Sequence, residues 1–422
     1  MPKITRSTIW ISTVIGVLVI GVLLLGWILF VRGEQTALST AFEGRGFSSG
    51  IPFFEGTTGS TNSNIADSFL GRLLGGERTG TSTKETITEP QTPRLWQISN
   101  VPSAGVDTMM ASTTVVVTYA ERPTGHLFEA NTFTGDIERI TNTLIPQVQK
   151  VSWIGKRGAV VEHTDDRLET ATLVAHITRA TSTEGTLEGT YLEPGVIGIA
   201  GSPDKEDFFY LLETVDGSVG IISTLGGEDP KRLFSSSLVG WQMSRRSDGS
   251  VLIVQNASEA IAGSAFLVSP SGREKTILSN VRGLSVAIHP KDETLVYSES
   301  VRGRVSLFGK IGGGLRRITA PFTTLADKCV FAPTQDVIVY CAVPSTIPSA
   351  PLPDAWYRGE VHFSDSWWQF NLETGEAEQL LSPESDYRIA LDVVSPKISS
   401  DGSYIVFLDS LTQTPWGLRI QK

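Results

Sequence analysis

Asp401-Gly402-Ser403-Tyr404-Ile405-Val406-Phe407-Leu408 sets a polar turn directly before an unbroken apolar run, and the same device recurs along most of the chain. It returns in Pro203 to Leu212, in Ser247-Asp248-Gly249-Ser250-Val251-Leu252-Ile253-Val254, in Pro290 to Tyr297 and in Pro333 to Tyr340, with weaker copies at Ser112 to Val117 and Gly155 to Val161. The turns fall near residues 112, 156, 204, 248, 291, 335 and 401. A unit of roughly 44 residues therefore repeats seven times, a length that suits a four-stranded propeller blade. The chain is read as an all-β, seven-bladed β-propeller over residues 94–422.

The second strand of each unit, such as Val115-Val116-Val117-Thr118-Tyr119 or Phe208-Phe209-Tyr210-Leu211-Leu212, is apolar without alternation. Strands covered on both faces read this way, as the middle strands of stacked blades must. Third strands follow at Leu127-Phe128, Phe266-Leu267-Val268, Val305 to Phe308 and Trp367 to Phe370, and outer strands at Glu138 to Thr141, Lys231 to Phe234 and Arg316 to Thr319. The outer strand of blade two is poorly defined around Leu187 to Leu192. Between third and fourth strands, Thr134-Gly135-Asp136, Ser271-Gly272-Arg273 and Thr374-Gly375-Glu376 supply glycines for tight hairpins. The last unit reaches its third strand at Trp416 to Ile420 and has no fourth, while Arg94-Leu95-Trp96-Gln97-Ile98-Ser99 has the outer-strand signature without preceding partners. Pairing the two closes the ring and removes its exposed edges.

The turn-plus-strand motif, best preserved in Ser400-Asp401-Gly402-Ser403-Tyr404-Ile405-Val406-Phe407, resembles the Ser-Pro-Asp-Gly-Lys repeat of TolB-like (PD40, WD40-like) propellers. The likeness is strong at residues 202–212, 247–254, 289–298 and 399–408 and is carried by short motifs only. The whole layout is also similar to bacterial envelope proteins with one N-terminal span and an exported propeller. The resemblance implies a binding or scaffolding module. It brings no catalytic residue, because Asp and Gly in this motif shape a turn.

Ile9 to Val31 is 23 residues without a charge. A helix of about 20 apolar residues already crosses a bilayer core, so this segment is expected to span the membrane and to contact lipid along its length. Trp10 and Trp27 sit near its two ends, and Lys3 and Arg6 give the N-terminal flank its positive charge, which keeps residues 1–8 in the cytoplasm and exports the rest. A cleaved signal peptide is the competing reading, but its apolar core is normally shorter. Residues 32–93 are rich in Gly, Ser and Thr and read as a flexible stalk. Within it, Ile65 to Leu74 has apolar residues at helical spacing, read either as a short amphipathic helix or as a local cluster in a loose linker.

The net charge is −10, and from residue 95 onward 27 Lys and Arg face 38 Asp and Glu. A body this acidic lacks the clustered cations that phosphate contacts need, so nucleic acid is excluded as a partner. His126, His163, His176, His289 and His362 lie far apart at no metal-ligand spacing, so neither metal nor cofactor is expected. Gly46-Phe47-Ser48-Ser49-Gly50 matches a nucleophile-elbow pattern, but it lies in the stalk without a strand before it or a helix after it.

Two features remain as site candidates. Blade six is longer than the others by about 22 residues, all between its second and third strands, in Val343 to Glu360. Pro344, Pro348, Pro351 and Pro353 stiffen this loop, and the residues before them are restricted to extended backbone. Asp354, Trp356, Tyr357 and Arg358 form its candidate binding tip, because Trp, Tyr and Arg dominate binding hot spots. Alternatively, Trp356 and Tyr357 plug the top of the central channel or pack on their own blade. Cys329 and Cys341, the only cysteines, flank the blade-six hairpin symmetrically, which places them opposite each other as a candidate cross-strand disulfide or as two buried thiols.

The expected function is that of a non-enzymatic, single-pass membrane protein, presenting its propeller outside the cytoplasm as an interaction platform for an envelope protein or polymer. A propeller hydrolase, or an accessory subunit of an envelope enzyme, is the alternative, which converging Asp, Glu, Arg or Tyr side chains at the channel mouth would favour.

Overall fold

Strands that are apolar on both faces must be covered on both, and the computed structural model shows how: seven four-stranded sheets stand around an axis, each covering the next. It describes residues 90–420 apart from 179–184, 228–229, 257 and 334–336. The expected membrane span and almost the whole stalk therefore lie outside the described residues. Among the described residues, no helix is long and apolar enough to cross a membrane.

Blades one to six each run in chain order from the axis outward. Blade one consists of Ser103–Ala111, Thr114–Glu121, Leu127–Asn131 and Ile137–Arg139, and blade four of Trp241–Arg245, Val251–Gln255, Ala262–Val268 and Glu274–Arg282. Blade seven is built from both ends of the ring. Val393–Ile398, Tyr404–Asp409 and Pro415–Arg419 supply three strands, and Leu95–Gln97 adds the fourth, with Leu95 opposite Leu418 and Gln97 opposite Trp416. The outer strand of blade two, weak in sequence, is regular from Thr186 to Tyr191, whereas that of blade five shortens to Ile318–Thr319.

The repeated turn owes its shape to its aspartate. Asp248 accepts hydrogen bonds from the Ser250 amide at 2.8 Å and hydroxyl at 2.6 Å, and Asp292 accepts from the Thr294 amide at 2.7 Å. Such side-chain-to-backbone bonds two residues on favour a turn over continued strand. Gly249 and Gly402, at φ +84° and +75°, provide the left-handed residue that follows the aspartate.

Seven hydrophobic clusters hold the ring, one at each junction between neighbouring blades. Phe208 and Tyr210 of blade three face Ile154 and Val174 of blade two, while Phe209 and Leu211 face Trp241 and Ile253 of blade four. Alternate residues of one strand thus belong to different junctions, which is why the sequence shows no polar face. At the closing junction, Val406 and Leu408 meet Val106, Val117 and Tyr119 of blade one. Losing a ring such as Phe209, which is fully buried, costs about 3–5 kcal/mol.

Antiparallel strands sort the connections onto two faces. Loops between second and third strands share the upper face with the links between blades, and the other turns form the lower face. The chain enters from below: the Gln91 amide donates to the Phe133 carbonyl at 2.7 Å and the Thr92 hydroxyl to the Thr132 carbonyl at 2.6 Å, both in a lower turn of blade one.

Candidate functional site

The long blade-six loop leaves the second strand at Pro344 and rejoins the third at Asp365, on the upper face. It is not extended throughout. Pro353 takes helical backbone angles and Asp354–Tyr357 forms one helical turn, capped when the Arg358 amide returns to the Asp354 carbonyl. Leu352, Trp356 and Phe363 turn inward and pack on Val305 and Leu325, giving the loop its own small core.

Trp356 is only 7% exposed, and its indole N–H donates to both carboxylate oxygens of Asp392 at 3.1 Å. Beneath it lies Lys328, fully buried, whose ammonium reaches Asp365 at 2.7 Å, Asp392 at 2.6 Å and the Val393 carbonyl at 2.9 Å. All three of its donors are engaged. The same ammonium stands 4.6 Å from the centre of the Trp356 ring and 4.9 Å from that of Phe363, within cation–π range. Two buried carboxylates around one buried cation leave an excess negative charge, to which half-exposed His362 adds a contact with Asp392 at 3.4 Å. Burial pushes the Asp365 carboxyl above its ordinary pKa, although Lys328 and the Val393 amide oppose that rise.

The rest of the loop leans across the upper face. Asp354 accepts from the Glu259 amide of blade four at 2.9 Å, and Glu259 in turn accepts from the Gly303 amide of blade five. The Tyr357 hydroxyl donates to Asp327, in the link before blade six, and is also hydrogen-bonded to Gln242 on the first strand of blade four. Burial pushes the Asp327 carboxyl up to about 6, with the Tyr357 hydrogen bond and the Lys328 charge opposing the rise. Burial of the phenol and the adjacent Asp327 charge raise the Tyr357 pKa well above its usual value. Arg358 forms an exposed pair with Glu360 at 2.6 Å, which contributes little to stability.

Of the four tip residues, Trp356 is interior, Asp354 is a strut between blades, Tyr357 is 42% exposed although its hydroxyl is buried against Asp327 and Gln242, and Arg358 is open to solvent. The cluster of Lys328, Asp365 and Asp392 was not readable from sequence, because its members lie at the starts of three strands far apart in the chain. Cys329 and Cys341 stand directly opposite each other on the first two strands of blade six, with Cα atoms 4.1 Å apart and the sulfurs joined at 2.12 Å. Among the described residues, no group of three or more His, Cys, Asp or Glu side chains is arranged to hold a metal ion.

No protein-family model matches the sequence, and neither does any curated protein. Solved structures do match. An oligogalacturonate lyase from Vibrio parahaemolyticus shares 9% identity, with 78% of this chain and 94% of that chain covered at a TM-score of 0.50. The tricorn protease shares 8% identity over 75% of this chain at a TM-score of 0.48, and the match spans about a third of its length, 33%. TolB from Acinetobacter baumannii shares 12% identity, with 71% of this chain and 61% of that chain covered at a TM-score of 0.37. Likeness at these identities is to the β-propeller fold alone.

Proposed function

We propose that this is a single-pass membrane protein whose propeller is held outside the cytoplasm by residues 9–31 and the stalk 32–93, and that it works without catalysis as an interaction platform for an envelope protein or polymer. One observation carries this reading. The chain enters the ring from the lower face, while ten of the thirteen large hydrophobic side chains exposed among the described residues lie in loops, links or strand ends of the upper face. Entry of the chain at one face and exposed apolar groups on the opposite face suit a body that presents a contact surface. The Cys329–Cys341 bond supports export, since disulfides persist outside the reducing cytosol. Tyr357, which reaches the inner strand of blade four, and exposed Arg358 lie on the same face and are assigned to the platform.

The test has two parts in the native cell. A phosphatase that is active only outside the cytoplasm, fused after Lys422, is expected to be active. A photo-crosslinking residue at Tyr357 is expected to trap a discrete partner that the same residue at Leu315, on the lower face, does not trap. An inactive phosphatase, or identical adducts from both faces, overturns the reading.

A further inference from the structure

The exposed apolar groups of the upper face are densest over blades two and three, where they alternate with acids. Leu168 sits in the loop between the second and third strands of blade two and is 82% exposed; Val215 occupies the corresponding turn of blade three and is fully exposed. Tyr191 ends the outer strand of blade two, and Leu238 and Val239 lie in the link to blade four. Leu168 and Val215 bury little apolar surface in the fold where they stand.

The geometry also holds them there. Leu168 adopts φ +63°, a left-handed conformation that is unfavourable for a branched residue. The loop is fixed in that shape by Asp165, whose carboxylate accepts from the Arg167 amide at 2.8 Å and the Glu169 amide at 2.9 Å. The Tyr191 hydroxyl is likewise fixed, by the His163 ring at 3.1 Å. Both side chains are presented by ordered structure, so a partner would not have to order them on binding.

Charge decides the partner. Asp166, Glu169, Glu193, Glu213 and Asp216 are all exposed in these loops and strand ends, and Arg167 is the single cation among them. Such a field repels anionic lipid and a second copy of the same surface, and attracts a basic ligand that brings apolar groups of its own. We propose that the upper edge of blades two and three is a docking surface for a positively charged, amphipathic polypeptide, whose apolar side chains cover Leu168, Tyr191 and Val215 while its Lys and Arg meet the surrounding acids. This rests on the platform reading and names the chemistry of its partner.

The full chain in mild detergent is titrated with a fluorescent helical peptide built from Lys and Leu in an amphipathic pattern, and separately with its Glu and Leu counterpart. Saturable binding of the Lys peptide alone is expected, weakening about tenfold or more with added salt. Leu168→Ser with Val215→Ser is expected to weaken it about tenfold or more, and so is Asp166→Asn with Glu193→Gln and Asp216→Asn. Leu315→Ser, on the lower face, leaves it unchanged. All of these positions are exposed, so each variant folds, which circular dichroism checks. Equal binding of both peptides, equal affinity in the upper-edge variants, or self-association abolished by Leu168→Ser with Val215→Ser overturns the proposal. Its failure is separable from that of the platform reading: the peptide titration reads surface chemistry in solution, and the phosphatase fusion reads topology in the cell.

Discussion

Lys328 and Asp392 meet at 2.6 Å although each stands directly before the first strand of a different blade, so the ion pair ties blade six to blade seven beneath the Trp356 indole. Removing the cation alone leaves Asp365 and Asp392 buried without compensation. Lys328→Met is expected to cost on the order of 3–5 kcal/mol, measured by urea unfolding. Adding Asp365→Asn and Asp392→Asn to it should recover a large part of that loss, because the burden is uncompensated charge and not lost volume. No recovery in the triple variant would show that packing, and not charge, sets the cost.

Asp327 makes the stability of this region pH-dependent in a stated direction. Its carboxyl is raised from 3.8 to about 6 in the folded protein, so folding takes up a proton between those values. Its contribution is fully present below the lower value and is lost as pH rises through the upper one. Asp327→Asn, which does not titrate, should therefore unfold at a higher temperature than the parent at pH 7.5 and show no such advantage at pH 4. An advantage that grows towards low pH would reverse the sign and refute the assignment.

The two cysteines make a chemical prediction. Protein isolated under oxidising conditions should take up a thiol-alkylating reagent at Cys329 and Cys341 only after denaturation and reduction, read by intact mass. Cys329→Ala with Cys341→Ala should lower stability by about 2–4 kcal/mol. Alkylation of both thiols in denatured, unreduced protein would remove the bond.

Ring closure can be tested where Trp96 lies over Gly417. A β-carbon at residue 417 would collide with the Trp96 indole, so the ring occupies space that only glycine leaves free. Gly417→Val is expected to displace Leu95–Gln97 and expose the Pro415–Arg419 edge, producing concentration-dependent association in sedimentation velocity. A monomeric variant with unchanged stability would show that the closing strand contributes little.

The architecture was legible because its signals are local. Asp248-Gly249-Ser250 and its copies each fix a turn through bonds within a few residues, and the apolar runs that follow need only their own composition to read as covered strands. The pairing of residues 94–99 with the last unit was legible for a different reason: one unit lacked a strand and one strand lacked a unit. The blade-six loop was harder. Its length and prolines marked it, but whether Trp356 faced inward depended on Asp392, and no feature near residue 392 announces an indole partner. Lys328 was silent for the same reason. A lysine in Asp327-Lys328-Cys329 looks like any solvated cation until the chain brings Asp365 and Asp392 to it.

Because the fourth strand of blade seven is contributed by residues 95–97 and its other three by residues 393–419, that blade cannot be assembled until the whole intervening chain has emerged. Six blades can form in order as the polypeptide appears, but the seventh must wait, with Leu95 unpaired and the flank of blade one bare throughout. A ring sealed this way matures in a single late step, and its period of vulnerability to proteases and to neighbouring chains spans the synthesis of all six intervening blades.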